Sequence, residues 1–340
     1  MPDRSDLLAQ FVEQTDWRDA SRTIVAGDAS NRRYDRLKKP NGATSILMDA
    51  PPEKGEDVRP FIEIAQYLRD VGVSAPDILE ADVSRGFLII EDLGDALFAK
   101  LMATEPNREL ELYQAATDVL LHLHSNTPPD TLEPFDASTM ASMIDLAFSW
   151  YTHGADSSWA DALEELNDVF PRILQEHVAP PSVFMHRDYH VENLLWLPDR
   201  AGTARVGVID FQDAKIAHPA YDLVSLLQDA RRDVPKDVEA VLLSRYISRS
   251  GQDPEDFLAA YHVLGAQRNL RILGVFARLC MHFGKPHYLQ FIPRVYSLLM
   301  RDLDHPALVP VAGLLRRTLP DPTPQTLKKL KEKCATFPMP

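Results

Sequence analysis

Asp188, Asn193 and Asp210 are three oxygen-bearing side chains at offsets that suit phosphoryl transfer. The stretch His186-Arg187-Asp188-Tyr189-His190-Val191-Glu192-Asn193 sets an acid and an amide five residues apart, and Ile209-Asp210-Phe211 brings a second acid 17 residues beyond the amide. Phosphoryl transfer asks a protein mainly for positioning and for neutralisation of phosphate charge. A carboxylate at Asp188 would orient the attacking hydroxyl and take its proton, while Asn193 and Asp210 would supply the hard oxygen ligands that magnesium prefers. His-x-Asp-x-x-x-x-Asn alone would arise by chance in roughly one chain of this length in fifty. An aliphatic-Asp-Phe strand end at the right distance makes the combination much harder to reach by accident.

Short apolar runs must hold these groups in place. Val183-Phe184-Met185 leads into the loop, Leu194-Leu195-Trp196-Leu197 follows it, and Val206-Gly207-Val208-Ile209 leads to Asp210. Bounded by Pro, Asp and Gly, such runs predict buried strands. Asp188 and Asn193 therefore belong to a loop, and a hairpin ending in a strand delivers Asp210.

Composition narrows the class. The 340 residues suffice for two lobes with separate cores, and 45% hydrophobic with 25% charged residues is ordinary for a soluble globular protein. A formal net charge of -14 argues against a nucleic-acid or anionic-membrane footprint, which needs clustered Lys and Arg. Met1 to Asp16 carries acids and no long apolar segment, so a cytoplasmic location is expected. Cys280 and Cys334 are too few and too far apart for a disulfide framework or a zinc site. No obligate protein partner is evident in the sequence.

The N-terminal third predicts a helix over Leu7 to Trp17, then strands over Ser21 to Val25, Arg33 to Leu37 and Ser45 to Met48, the last two joined by Lys39-Pro40-Asn41-Gly42. Arg59 to Val71 predicts a helix stopped by Gly72, and Phe87 to Ile90 a buried strand. That strand runs into Glu91-Asp92-Leu93-Gly94-Asp95; a chain leaving the sheet and turning at Gly94 would expose main-chain groups at Glu91 and Leu93, as an adenine edge requires. Beyond it helices dominate: Glu109 to Ser125, Met140 to Tyr151, Trp159 to Glu176, Tyr221 to Arg231, Phe257 to Phe283 and Tyr288 to Leu303, with a peripheral helix and tail after Pro320. Asp222, at the start of its helix, reads as a cap or a clamp on the loop. Arg268 and Arg271 share one face of an otherwise apolar helix, where they either pair with acids of neighbouring helices or face the substrate and hold an oxygen-rich or carboxylate group.

The segments 186–193 and 209–213 resemble the catalytic loop and metal-binding segment of the aminoglycoside phosphotransferase and choline kinase superfamily. The resemblance implies an α+β, bilobal, protein-kinase-like fold, with a small antiparallel sheet lobe over residues 1–92 and a larger helical lobe over 93–340. It implies ATP as phosphoryl donor, Mg2+ as the ion, Asp188 as base, Asn193 and Asp210 as its ligands, and Glu91 and Leu93 as the nucleotide-binding hinge. Gly27-Asp28-Ala29-Ser30-Asn31-Arg32-Arg33 falls where this fold places its phosphate-covering loop, making Ser30, Asn31, Arg32 and Arg33 nucleotide-binding candidates. The strand over Ser45 to Asp49 has no lysine to pair with Glu63 of the following helix, a departure for which Arg32 or Arg33 could substitute.

A narrower resemblance covers most of the chain. Residues 27–34, 48–52, 90–95, 210–214 and 267–274 are similar to the bacterial anomeric amino-sugar kinases of cell-wall recycling, which use ATP to phosphorylate the C1 hydroxyl of N-acetylmuramate and N-acetylglucosamine; the group also lacks the strand lysine. It implies a small sugar substrate and an α product, with His190, Glu192, Gln212 and Asp213 as candidates for sugar hydroxyls and Arg268 or Arg271 for the lactyl carboxylate. An aminoglycoside- or choline-type kinase, or a nucleotide-binding pseudokinase, are the alternatives.

Overall fold

The computed structural model describes residues 3–27, 31–178 and 180–337, which form two compact units. The first comprises residues up to 126 together with 190–214; the second comprises 127–189 and everything from 215 onward.

The first unit is built on an antiparallel sheet of β1 (Ser21–Gly27), β2 (Arg33–Lys38), β3 (Thr44–Asp49), β4 (Ile78–Asp82) and β5 (Phe87–Glu91), in the order β1-β2-β3-β5-β4. Alternation along β2 explains its two faces. Asp35 and Leu37 point one way and are buried, while Arg36 points the other way. Leu37, Leu47, Phe87 and Ile89 form a core with Trp17 and with Leu8 and Phe11 of α1 (Arg4–Glu13); burying each large apolar side chain contributes about 1.5–3 kcal/mol. The β2–β3 turn is closed by Gly42, at φ +92°, whose N–H donates to the Lys39 carbonyl.

Helix α2 (Arg59–Asp70) buries Phe61, Ile64, Ala65 and Leu68, the spacing of one helical face. Short α3 (Phe98–Thr104), α4 (Glu109–His124) and the hairpin of β7 (Leu194–Trp196) and β8 (Val206–Val208) complete this unit. Trp196 N–H donates to the Ala96 carbonyl and Val208 N–H to that of Ser74, so the hairpin is stitched to chain far from it in sequence. Residues 93–126 and 190–214 thus belong with the sheet, and the units are not the two sides of one cut.

The second unit holds the two-stranded ladder of β6 (Val183–Met185) and β9 (Lys215–Ala217) and the helices α5 (Ala137–Ser142), α6 (Ala160–His177), α7 (Ala220–Leu227), α8 (Lys236–Ser250), α9 (Pro254–Met281), α10 (Ile292–Asp302), α11 (Val309–Thr318) and α12 (Pro324–Glu332). The helix expected over 140–151 is instead two pieces, α5 and a π-helical turn at Ala147–Thr152. The one expected over 221–231 ends at Leu227, where Asp229 takes over the Arg231 N–H. Helix α9 is its centre: Gln267, Arg268 and Asn269, three polar residues in succession, are all buried, because packed elements meet it on several faces. No helix among the described residues is long and apolar enough to cross a membrane.

Candidate active site

In the second unit, β6 runs into His186 and Arg187, and α7 brings Asp222 beneath them. Asp222 is fully enclosed; its two carboxylate oxygens accept the main-chain N–H groups of His186 at 2.6 Å and Arg187 at 2.9 Å. This is the clamp expected of it, and it fixes the main chain immediately before Asp188. Burial pushes the Asp222 carboxyl up to about 7; the two N–H donors and the charge of Arg268 pull it down, and the negative charge of Asp188 adds to the rise. Arg187 sits at φ +80°, a conformation that costs a non-glycine residue on the order of 1–3 kcal/mol and that clusters at functional sites. His186 and Tyr189 pack edge to face, with centroids 5.5 Å apart, so apolar contacts hold the loop as well.

Arg268 and Arg271 separate in this environment. Arg268 is 4% exposed, and its Nη2 donates to Ser225 Oγ at 2.8 Å; Arg271 is half-buried. Burial lowers the Arg268 pKa, opposed by the charges of Tyr221, Asp188 and Asp229.

In the first unit, a 3-10 turn over Val191–Asn193 carries Asn193, whose N–H donates to the His190 carbonyl at 2.8 Å. The Asn193 carbonyl in turn accepts the Ile209 N–H at 3.1 Å, so the β7–β8 hairpin makes Asn193 and the residue before Asp210 neighbours. Asp210 stands at φ +64°, and its Oδ1 accepts from Gln212 Nε2 at 2.9 Å. Phe211, fully buried, anchors the turn by packing on Phe61 of α2 with ring centroids 4.8 Å apart. An amide and a carboxylate brought to one hairpin form a hard oxygen donor set of the type magnesium takes when phosphates complete its shell. Among the described residues no three His, Cys, Asp or Glu side chains gather into a self-sufficient metal cage. His190 is buried, Gln212 partly so, and Glu192 and Asp213 are exposed.

The other predicted residues of this unit lie along its sheet. Ser30 is outside the described residues. Asn31 N–H donates to Glu56 Oε1 at 3.2 Å, and Arg32 Nε reaches the other oxygen of Glu56 at 2.8 Å. Arg33 pairs with Asp35 at 3.1 Å. Both candidate substitutes for the strand lysine thus hold carboxylate partners; Glu63 is an exposed residue of α2, and Met48 of β3 is buried. Glu91 N–H donates to the Asp77 carbonyl at 2.8 Å, and its side chain accepts from Arg200 Nη2 at 2.5 Å. Leu93 follows the end of β5, and among the described residues no group bonds its main-chain N–H or carbonyl. Sequence reasoning missed the ion cluster of Arg36 with Asp92 and Asp95 beside this turn. The two acids were visible, but no periodicity points an arginine 56 residues upstream at Asp92.

Comparison with known proteins fixes the class. Residues 21–261 match the model of the phosphotransferase enzyme family, and the chain belongs to that family and is an ATP-dependent phosphotransferase. Among its relatives is a protein of Caulobacter vibrioides named N-acetylmuramate/N-acetylglucosamine kinase, 38% identical over 94% of this chain and 97% of that one. Proteins of the same name from Pseudomonas aeruginosa, 32% identical over 81% of each chain, and Neisseria meningitidis, 33% identical over 88% of this chain and 90% of that one, also match. The fold is shared with a choline/ethanolamine kinase family protein from Mesorhizobium loti, at TM-score 0.61 and 13% identity over 97% of this chain and 100% of that one. It is shared too with a microcompartment-associated aminopropanol kinase, at TM-score 0.61 and 18% identity over 88% and 96%.

Proposed function

We propose that this phosphotransferase moves the γ-phosphoryl group of ATP to the anomeric C1 hydroxyl of N-acetylmuramate and N-acetylglucosamine, giving the sugar 1-phosphates in peptidoglycan recycling. The observation that carries this reading is the near full-length identity to relatives that bear those sugars in their names, together with an intact Asp188, Asn193 and Asp210.

Asp188 is the base. A hemiacetal hydroxyl is more acidic than an ordinary sugar alcohol, so the carboxylate need only orient it and accept its proton late in transfer. Asp222 holds the preceding main chain rigid, which preserves the near-attack geometry on which such a late transfer depends. Magnesium, held by the side-chain oxygens of Asn193 and Asp210, supplies neutralisation of phosphate charge when bound. Gln212 fixes the orientation of Asp210 through its 2.9 Å hydrogen bond. The Glu91 carbonyl and the Leu93 N–H meet the adenine edge, and Asn31, Arg32 and Arg33 serve the phosphates. Arg271, the less buried of the two arginines, binds the lactyl carboxylate; His190, Glu192, Gln212 and Asp213 serve the sugar's polar groups. The product is the α-anomer.

The test is ADP release from ATP and magnesium with N-acetylmuramate, N-acetylglucosamine, kanamycin and choline in parallel, with phosphorus NMR on the product. Both N-acetyl sugars are expected to give a C1 phosphate, and Asp188→Asn is expected to lower kcat by about three orders of magnitude or more with little change in either KM. Turnover confined to the cationic compounds sinks the substrate assignment, and silence with all four sinks the sugar-kinase reading. Arg271→Ala should raise KM for N-acetylmuramate about tenfold while sparing N-acetylglucosamine, which lacks the carboxylate. Equal effects on both sugars would remove Arg271 from that role.

A further inference from the structure

Of the main-chain groups assigned to adenine, that of Glu91 ends β5 opposite Ser45, while that of Leu93 lies in the turn that follows, outside the sheet's hydrogen-bond ladder. Side chains hold it instead, and they converge on one residue. Arg36 of β2 donates from Nη1 to Asp95 Oδ2 at 2.9 Å and from Nη2 to Asp95 Oδ1 at 2.9 Å and to Asp92 Oδ1 at 3.0 Å. Its Nε lies 2.7 Å from Asp92 Oδ2, a charge contact without hydrogen-bond alignment. Asp92 Oδ1 also accepts the Gly94 N–H at 3.0 Å, closing a turn in which Gly94 takes φ +84°.

Strand register explains why Arg36 reaches these acids. Arg36 stands opposite Ile46, and Ile46 opposite Ile90, so the guanidinium occupies the sheet face shared with the last inward residue of β5, away from the face that packs on α1. The side chain of Asp92 is 5% exposed and that of Asp95 67%, so one carboxylate is an enclosed anchor and the other a surface brace. The hydrogen bonds that Arg36 donates to Asp95 push the Arg36 pKa up, and Asp95 is held below the usual carboxylate range by the same contact. A planar fork with five donors can grip two carboxylates at fixed angles; an ammonium on a flexible stem cannot.

We infer that Arg36 is a positioning residue for the purine. It sets the 92–95 turn so that the Glu91 carbonyl and the Leu93 N–H keep the spacing that a 6-aminopurine edge requires, a role that rests on the adenine assignment given above. Arg36 does not touch nucleotide; it acts through Asp92 and Asp95. Nucleotide selectivity, rather than phosphoryl transfer, is therefore what it controls.

The experiment compares wild type with Arg36→Gln, Arg36→Lys and Asp95→Asn, using ATP and purine riboside triphosphate, which lacks the 6-amino group. Wild type is expected to prefer ATP by about tenfold in kcat/KM. Arg36→Gln is expected to raise KM for ATP about tenfold, leave kcat and the sugar KM within about threefold, and bring the preference close to one. Arg36→Lys should not rescue it. A wild type that does not discriminate would fell the adenine-edge assignment and the role of Arg36 with it. Discrimination retained in full by Arg36→Gln, with KM for ATP unchanged, would overturn the role of Arg36 and leave the adenine edge standing. Should Arg36→Gln fail to fold, Asp95→Asn carries the test on an exposed side chain: a partial loss of preference supports the inference, and none refutes it.

Discussion

Asp222 accepts two main-chain N–H groups from a site closed to water, and removing either oxygen strands a donor that nothing else can satisfy. Leaving a buried donor unpaired costs about 1–3 kcal/mol. Asp222→Asn keeps one acceptor and aims an amide N–H at the other donor, so it should lower the thermal midpoint and reduce kcat about 10- to 100-fold with both substrate KM values within a few-fold. A variant that lost stability but kept kcat would show that the clamp serves folding alone. At this scale the sequence was most informative where chemistry imposes spacing. Asp188, Asn193 and Asp210 stand at fixed offsets, and Asp222 was legible from its place at a helix start. Arg36 was not, since its function depends on two acids that only the folded turn brings within reach.

Elements were legible where their apolar pattern is strong. α2, β5 and α9 follow their expected ranges closely, because each buries one face or its whole surface. β4 and α8 drew no expectation. β4 is an edge strand whose burial never exceeds intermediate, and α8 buries Glu239, Leu242 and Tyr246 alone among its 15 residues, too weak a stripe to mark a period. The break between α5 and the π-helical turn at 147–152 has its counterpart in α9. A Cβ on Gly274 would fall within the van der Waals envelope of the Leu146 carbonyl, so the two segments pack backbone to backbone. Gly274→Ala should therefore destabilise the protein by about 1–3 kcal/mol despite raising helix propensity. Equilibrium urea denaturation gives the answer; an unchanged or higher midpoint would mean that the close approach relaxes freely.

For the whole molecule, two buried groups tilt stability against pH in opposite directions. His218 Nδ1 accepts the Ala220 N–H at 3.1 Å, which fits the neutral ring, and burial pushes its pKa from 6.5 to about 4. The folded state then binds fewer protons than the unfolded chain over that window, so this contribution is present above 6.5 and is lost as pH falls toward 4. Asp222 is raised from 3.8 to about 7, so its contribution is present below 3.8 and is lost as pH rises toward 7. The two slopes partly cancel between about pH 4 and 6.5. His218→Asn keeps a short acceptor for Ala220 without the titration. Relative to wild type it should gain on the order of 2 kcal/mol between pH 6.5 and 4.5. Urea midpoints across that range measure this directly, and parallel profiles would contradict it.

Neither unit is a continuous stretch of chain. The sheet unit needs residues 190–214, which reach it only after 127–189 have been laid down for the other unit. During vectorial synthesis the sheet therefore waits, without its β7–β8 hairpin, until the ribosome has released residue 214, and the second unit waits for everything beyond. Asn193 and Asp210 arrive with that late hairpin, so a nascent chain acquires the two side chains proposed to hold magnesium only when the sheet unit can close. A fragment stopped at residue 126 would expose the main-chain edge at Ser74 that Gly207 and Val208 cover in the finished protein.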